Sequence, residues 1–286
     1  MPSVLAVDVG GTKLAAGVVT DGGDVVARSQ VPTEGDAETM FAALLGVVGA
    51  VRMGDEIVCG VGCGGPMAPG GAHVSPLNIP AWREFPLRSR LHDELGLDVF
   101  VDNDAKALAL GEGWCGAARG ERDFLAMVVS TGVGGGIVLD GRLLDGALGN
   151  AGHIGHVIVN PGGNLCGCGA RGCLEAEASG TGISSWSGRS PIGADASVVE
   201  HVGTMVGRGV ASVCNLLDLR LAVVAGSIAL GYGDAFFAAA QRELDACARL
   251  SFSQGARIIP GGLGADGPLV GAAAVGLRGW RGVEKS

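Results

Sequence analysis

Short apolar runs broken by glycine open the chain. In SVLAVDVGGTKLAAGVVTDGGDVVARSQV (residues 3–31) the runs are dominated by Val, Leu and Ala. They predict strand, Gly-rich turn, strand, Asp-Gly-Gly turn, strand, with the Asp-Gly step signalling a hairpin. ETMFAALLGVVGAV (38–51) reads as a helix with apolar residues on more than one face, and IVCGVGCGGPMAPGG (57–71) as a buried strand running into a Gly/Pro loop. PLRSRLHDELG (86–96) predicts a second helix capped by Gly96. VFVDNDAKALALGEGW (99–114) predicts a short strand whose end launches a helix at Asn103 or Asp104.

At residue 124 the opening pattern returns. FLAMVVSTGVGGGIVLDGRLLDG (124–146) has the same element order, turn chemistry and threonine position as VLAVDVGGTKLAAGVVTDGGDVV (4–26). The repeat predicts an α/β fold of two domains on one plan, each opening with a hairpin sheet. The boundary is expected near GWCGAARGERD (113–123). Beyond it, residues 198–219 predict a long helix, LAVVAG (221–226) a strand, SIALGYG (227–233) a loop, and FFAAAQRELDACARL (236–250) another helix. The pattern gives residues 1–117 as the first domain and 118–268 as the second.

Composition narrows the function. With 286 residues, 48% of them hydrophobic, the chain can bury a large core without staples. A net charge of −9 argues against nonspecific binding to nucleic acid or an anionic membrane. Asp8 interrupts the first apolar run and no basic leader precedes it, so neither a signal peptide nor a transmembrane span is expected. The expected location is the cytoplasm, where eight cysteines are thiols or metal ligands rather than disulfides. Cys59, Cys63, Cys115, Cys214 and Cys247 read as small buried hydrophobes.

Chemistry gathers at the two threonine-glycine turns. Asp8, Gly10, Gly11, Thr12 and Lys13 follow the first strand. Consecutive glycines let backbone N–H groups converge on an anion, and a hydroxyl and an ammonium add donors to phosphate. Asp8 would repel phosphate unless a hydrated divalent cation lay between, which points to a nucleotide–Mg²⁺ site. Thr131 and Gly132, in STGVGGG, offer a second cradle. Neither is a Walker loop, and no helix directly follows the glycines as a dinucleotide fingerprint requires. The alternative is two ordinary glycine hairpins.

The third cluster is HIGHVIVNPGGNLCGCGARGCLE (153–175). Cys166, Cys168 and Cys173, with His156 as fourth ligand, make a Cys₃His set suited to tetrahedral Zn²⁺ if the intervening glycines fold the loop tightly. Four protein ligands leave no open position, so the ion would be structural. A redox pair is the alternative, but no C-x-x-C is present and a C-x-C disulfide is strained.

DVGGTKLAAG, STGVGGG, VDNDA and the block from Ala151 to Gly180 together resemble the ROK family of bacterial sugar kinases and related repressors, within the actin-like ATPase superfamily. The resemblance runs from Asp8 to GPLVGAAAVGL (267–277), and the C-x-C-G-x-x-G-C-x-E string is its most specific part. It implies two ribonuclease-H-like α/β domains with an interdomain cleft, ATP mainly on the second domain and sugar at the hinge. The last helix, about 269–286, would return to the first domain. It also implies the same zinc, a homodimer and a small-molecule sugar as substrate, and it adds Gly226 to the ATP-binding set.

Spacing alone favours Asp104 as a helix cap. The resemblance makes it the catalytic base, with Asn103 binding sugar hydroxyls. Gly65 and Asn78 are expected at the sugar, with Asn78 equally readable as a turn residue, and Trp82 is expected to pack in the wall. Lys106 and Glu112 read as helix-surface residues. His156 and Glu175 would face the sugar.

One position departs from the pattern. Glucokinase-like ROK members carry Glu-x-Gly-His where this chain has His153-Ile154-Gly155-His156. Imidazole in place of a carboxylate changes charge and hydrogen-bond capacity at the sugar. Some bacterial N-acetylmannosamine kinases have histidine there too. The expected activity is therefore ATP-dependent phosphorylation of a primary hydroxyl, O6, of a hexose or hexosamine, with N-acetylmannosamine-like specificity. Glucose, mannose or a sugar-like cyclitol are the alternatives, as is a purely structural His153. A repressor needs a helix-turn-helix ahead of the phosphate motif, where only seven residues precede Asp8. A non-catalytic sugar sensor sits poorly with Asp8, Lys13 and Asp104 all present.

Overall fold

The computed structural model describes residues 3–283, so residues 284–286 of the expected last helix lie outside the described residues. The chain forms two compact units. Among the described residues the first comprises 3–119, 145–151 and 263–283; the second, 120–144 and 152–262.

In the first unit, β1 (Ser3–Val9), β2 (Lys13–Thr20) and β3 (Val25–Pro32) form the antiparallel part of a sheet. β4 (Glu56–Cys63) and β5 (Val99–Asn103) extend it in parallel on the other side of β1, giving the order β3-β2-β1-β4-β5. β1 is buried along its whole length because both faces are covered, whereas edge strand β3 alternates between half-buried and exposed positions.

Alternate residues of β1 feed different cores. Leu5, Val7 and Val9 join Phe41 and Leu44 of α1 (Ala37–Val51), together with Trp82. Val4 and Ala6 join Leu269, Ala272, Ala273 and Leu277 of α8 (Gly267–Val283). Glycines allow the close approach of α8. A Cβ on Gly60 of β4 would stand 1.9 Å from the Ala272 carbonyl oxygen. The Asp36 carboxylate caps α1 by accepting the Thr39 N–H at 2.8 Å. Gly96, with φ 66°, ends α2 (Leu87–Leu95) as its position predicts.

The second unit repeats the plan. β6 (Phe124–Val129), β7 (Val133–Leu139) and β8 (Arg142–Leu143) are antiparallel, and β9 (Leu221–Ala225) and β10 (Arg257–Pro260) follow in parallel. The order β10-β9-β6-β7-β8 is that of the first sheet element for element. The core is closed by α6 (Ala196–Leu217) and α7 (Ser227–Cys247). Two short helices, α4 (Leu174–Ala178) and α5 (Gly180–Ser187), precede them.

The structure departs from the sequence expectation at SIALGYG, Lys106, Glu112, Cys115 and Cys247. SIALGYG is helical: α7 begins at Ser227 because Ile228 and Ala229 are buried, and only Gly233 (φ 59°, ψ −146°) breaks the helix. Lys106 and Glu112, expected on the surface of α3 (Asp104–Cys115), are 3% and 0% exposed. The Glu112 carboxylate accepts the N–H groups of Ala117 (2.7 Å) and Leu263 (3.4 Å), tying the end of α3 to the chain that returns into α8. Cys247 is exposed on the last turn of α7, its thiol 3.7 Å from a Glu243 carboxylate oxygen, and Cys115 is only half-buried, while Cys59, Cys63 and Cys214 are buried as expected. Among the described residues no helix is long and apolar enough to cross a membrane.

Candidate active site

In the first unit the parallel strands end at one edge, and the expected residues collect there. Asp8 is the penultimate residue of β1, and the Gly10–Lys13 turn closes on itself through Gly10 N–H to the Lys13 carbonyl at 3.0 Å. A residue with no local sequence signature holds this turn. Thr33, just past β3, donates its hydroxyl to the Gly10 carbonyl (2.8 Å) and its N–H to the Thr12 carbonyl (3.2 Å). Pairing of β2 with β3 puts it there, a relationship carried by register rather than by any local motif. Asn78 packs on the same turn, where a Cβ on Gly11 would lie 2.5 Å from its Cβ, so Gly11 is required for close approach. Asn78 also lines a cavity of about 240 Å³ with Thr33, Met40 and Pro80. Trp82 is fully buried.

Asn103 ends β5 and caps α3. Its Oδ1 accepts the N–H groups of Ala105 (3.0 Å) and Lys106 (3.4 Å). The cap is thus Asn103, and Asp104 is the first helical residue, its Oδ1 accepting the Ala105 N–H at 2.8 Å. The Asn103 amide nitrogen approaches Gly65 from the neighbouring strand end, lying 3.5 Å from where a Cβ on that glycine would stand. Burial, then the negative charge of Asp104, pushes the Asp8 carboxyl up to about 7 despite the opposing pull of the Lys13 ammonium. Two carboxylates held this way favour a divalent cation or a proton between them and any phosphate.

In the second unit Thr131 and Gly132 form the turn between β6 and β7. Glu175, on α4, reaches this turn, its Oε2 accepting the Val133 N–H at 3.1 Å. The turn is also braced by hydroxyl residues the sequence reading did not single out. Thr181 donates to the Thr131 carbonyl at 2.9 Å, and the Ser130 and Ser227 hydroxyls lie 2.9 Å apart. Gly226, with φ 102°, lets the chain turn from β9 into α7 against the Val129 carbonyl, where a Cβ would stand at 2.4 Å. These contacts bring Thr131, Gly132, Glu175 and Gly226 to one strand edge.

His156, Cys166, Cys168 and Cys173 converge, their ligand atoms all within 4.8 Å of one another. The Cys168 and Cys173 sulfurs are 3.6 Å apart, and Cys166 Sγ is 3.8 Å from His156 Nδ1. An ion with tetrahedral bonds of about 2.3 Å to sulfur separates its ligands by about 3.8 Å, so the four residues fit zinc in both chemistry and spacing. Gly172 makes the loop possible: with φ 73°, a Cβ there would lie 1.6 Å from the Asn160 carbonyl oxygen. Burial pushes the Cys173 thiol up to about 12, with the Cys168 and Cys166 sulfurs adding to the effect. The His153 and His156 rings lie 6.1 Å apart and nearly parallel, and Nδ1 is the His156 nitrogen turned to the sulfurs.

The sequence profile of the ROK family matches residues 4–278. The chain belongs to the ROK family. Among its relatives, the N-acetylmannosamine kinase of Citrobacter koseri is 37% identical over 248 residues, covering 81% of this chain and 85% of that protein. The glucokinase of Halalkalibacterium halodurans is 34% identical, covering 93% of this chain and 92% of that one. The ROK glucokinase of Streptomyces griseus, solved with glucose and AMPPNP, superposes with a TM-score of 0.82 at 28% identity, over 96% of this chain and 99% of that structure. The two five-stranded sheets are therefore those of the ROK fold of the actin-like ATPase superfamily.

Proposed function

We propose that this ROK protein transfers the γ-phosphoryl group of ATP to the primary hydroxyl, O6, of a hexose or hexosamine. The observation that carries the reading is the strand-edge grouping of Asp8, the Gly10–Lys13 turn and the Asn103-Asp104 pair in one unit of a ROK chain. Support comes from relatives named for sugar phosphorylation.

Asp104 accepts the O6 proton as the oxygen attacks phosphorus and the bond to the β-phosphate oxygen breaks, releasing ADP. Asn103 spends its Oδ1 on the helix cap, which orients its amide nitrogen to donate to a sugar hydroxyl. Lys13 and the N–H groups of the Gly10–Lys13 turn are phosphate donors in the first unit, and the Thr131-Gly132 turn with Gly226 is the phosphate cradle of the second. Asp8 would hold a hydrated Mg²⁺ bound with ATP, an ion that would supply positive charge to the phosphates. Gly65 and Asn78 shape the sugar side.

His153 favours N-acetylmannosamine. A carboxylate only accepts hydrogen bonds, whereas a neutral imidazole also donates and can satisfy an acetamido carbonyl. Glucose is the second reading, favoured by the glucokinase relatives. The Cys₃His set holds one structural Zn²⁺, and His156, ligating through Nδ1, turns its other nitrogen toward substrate with Glu175.

ADP release measured across N-acetylmannosamine, glucose, mannose, N-acetylglucosamine, glucosamine and cyclitols tests this. Greatest stimulation by N-acetylmannosamine is expected. Stimulation by none contradicts the kinase reading, and a preference for glucose overturns only the acceptor.

A further inference from the structure

Lys106 stands two residues past Asp104 and is 3% exposed. An ammonium has three N–H donors and accepts nothing. Lys106 Nζ donates to Asp145 Oδ1 at 2.9 Å and to the Gly149 carbonyl at 3.2 Å, and it is ion-paired with Asp102 Oδ1 at 2.9 Å. Arg278, on α8, closes the ring from another side, its guanidinium 2.6 Å from Asp145 Oδ2 and 3.4 Å from Asp102 Oδ2. Two cations and two carboxylates thus form a closed, neutral network.

Stability alone accounts poorly for such a cluster, since its half-exposed pairs contribute little and a buried ion pair is often replaced by apolar residues at no loss. Its connections are more informative. Asp102 Oδ1, ion-paired with Lys106, accepts the Asn103 N–H at 2.8 Å. Lys106 therefore holds the carboxylate that sets the Asn103 peptide, immediately before Asp104. On the other side, Asp145 and Gly149 belong to residues 145–151, which interrupt the second unit in sequence yet pack with the first. That segment is closed by the Ala151 N–H on the Asp145 carbonyl at 3.0 Å, and the chain continues into Gly152 and His153.

We propose that Lys106 is a positioning residue for the sugar acceptor. It fixes the Asn103-Asp104 pair through Asp102, and it anchors residues 145–151, the chain leading into His153, to the helix that carries Asp104. The inference rests on the kinase reading, and wild-type turnover establishes that reading before any variant is assayed. Loss on substitution should fall on the sugar side of the reaction, because the phosphate turns are braced by other groups, among them Thr33 and Glu175.

The test compares Lys106→Met, Asp145→Asn and the double variant, using N-acetylmannosamine or glucose, whichever the wild type phosphorylates. Lys106→Met should lower kcat/KM for the sugar on the order of 10- to 100-fold while KM for ATP moves less than about twofold. The double variant should lose less than the product of the two single losses, because Lys106 and Asp145 share one linkage while Asp145 also holds Arg278. Hydrogen exchange supplies a readout free of turnover. Amides of residues 102–106 and 145–151 should exchange faster in Lys106→Met, with the β6–β7 hairpin unchanged. If Lys106→Met does not fold, Asp145→Asn carries the same comparison, since Asp145 is about half exposed. Wild-type sugar kinetics, equal losses on sugar and ATP, or unchanged exchange in 145–151 would overturn the proposal.

Discussion

Glu175 Oε2 accepts the backbone N–H of Val133 at 3.1 Å, joining the helix that follows Cys173 to the second threonine-glycine turn. The cysteine loop and the Thr131-Gly132 turn are thus one hydrogen bond apart, although the sequence places Glu175 only with the residues expected at the sugar.

Removing the metal should therefore disturb ATP binding as well as sugar binding. Elemental analysis of gently purified protein should find one zinc per chain. Stripping it, or making Cys173→Ser, should lower Tm and raise KM for both substrates. Glu175→Gln keeps an acceptor for Val133 and should spare KM for ATP, whereas Glu175→Ala should raise it. Metal-free protein with unchanged Tm and ATP affinity would remove the link.

Asp104→Asn should keep the fold, since Asn103 supplies the helix cap. Loss of the base should reduce kcat by about 10²- to 10⁴-fold with little change in KM for sugar. Full activity in this variant would assign the base elsewhere.

Asp8 gives a pH signature. Burial, then Asp104, raises its carboxyl from the ordinary 3.8 to about 7 in the folded protein. The native state then binds more protons than the unfolded chain between those values, so this group makes stability fall as pH rises through that window. Asp8→Asn should flatten that part of the Tm-against-pH curve and leave the nucleotide-free protein more stable than wild type at pH 8. Activity should be lost. Parallel curves for the two proteins would show that Asp8 is not the group responsible.

Gly60→Ala places a methyl group 1.9 Å from the Ala272 carbonyl oxygen, where backbone must move. It should destabilise the first unit by about 1–3 kcal/mol in chemical denaturation, because α8 must shift on β4. A shift of a few tenths would mean that α8 packs elsewhere.

Much of this was legible in the sequence because it is local. The two hairpins, their shared order and the cysteine spacing announce themselves in windows of about thirty residues or fewer. Lys106 and Glu112 were not legible. Each is a charged residue in an ordinary helical pattern, and burial becomes tolerable only through partners such as Asp145 and Leu263, distant in sequence. Thr33 escaped notice for the same reason, since strand register brings it to Gly10. Gly231 and Gly233 suggested a loop in SIALGYG, but burial of Ile228 and Ala229 outweighs their weak helix propensity. His153 was legible as a departure, though its chemistry depends on the substrate it meets.

The central claim is phosphoryl transfer to a sugar O6, and the most direct measurement is phosphorus–proton correlation NMR of the product formed from ATP and N-acetylmannosamine. The account predicts one new phosphomonoester coupled to the two H6 protons, absent with Asp104→Asn over the same time. Inorganic phosphate as the only new signal, or phosphorus coupled to a different ring proton, would contradict it.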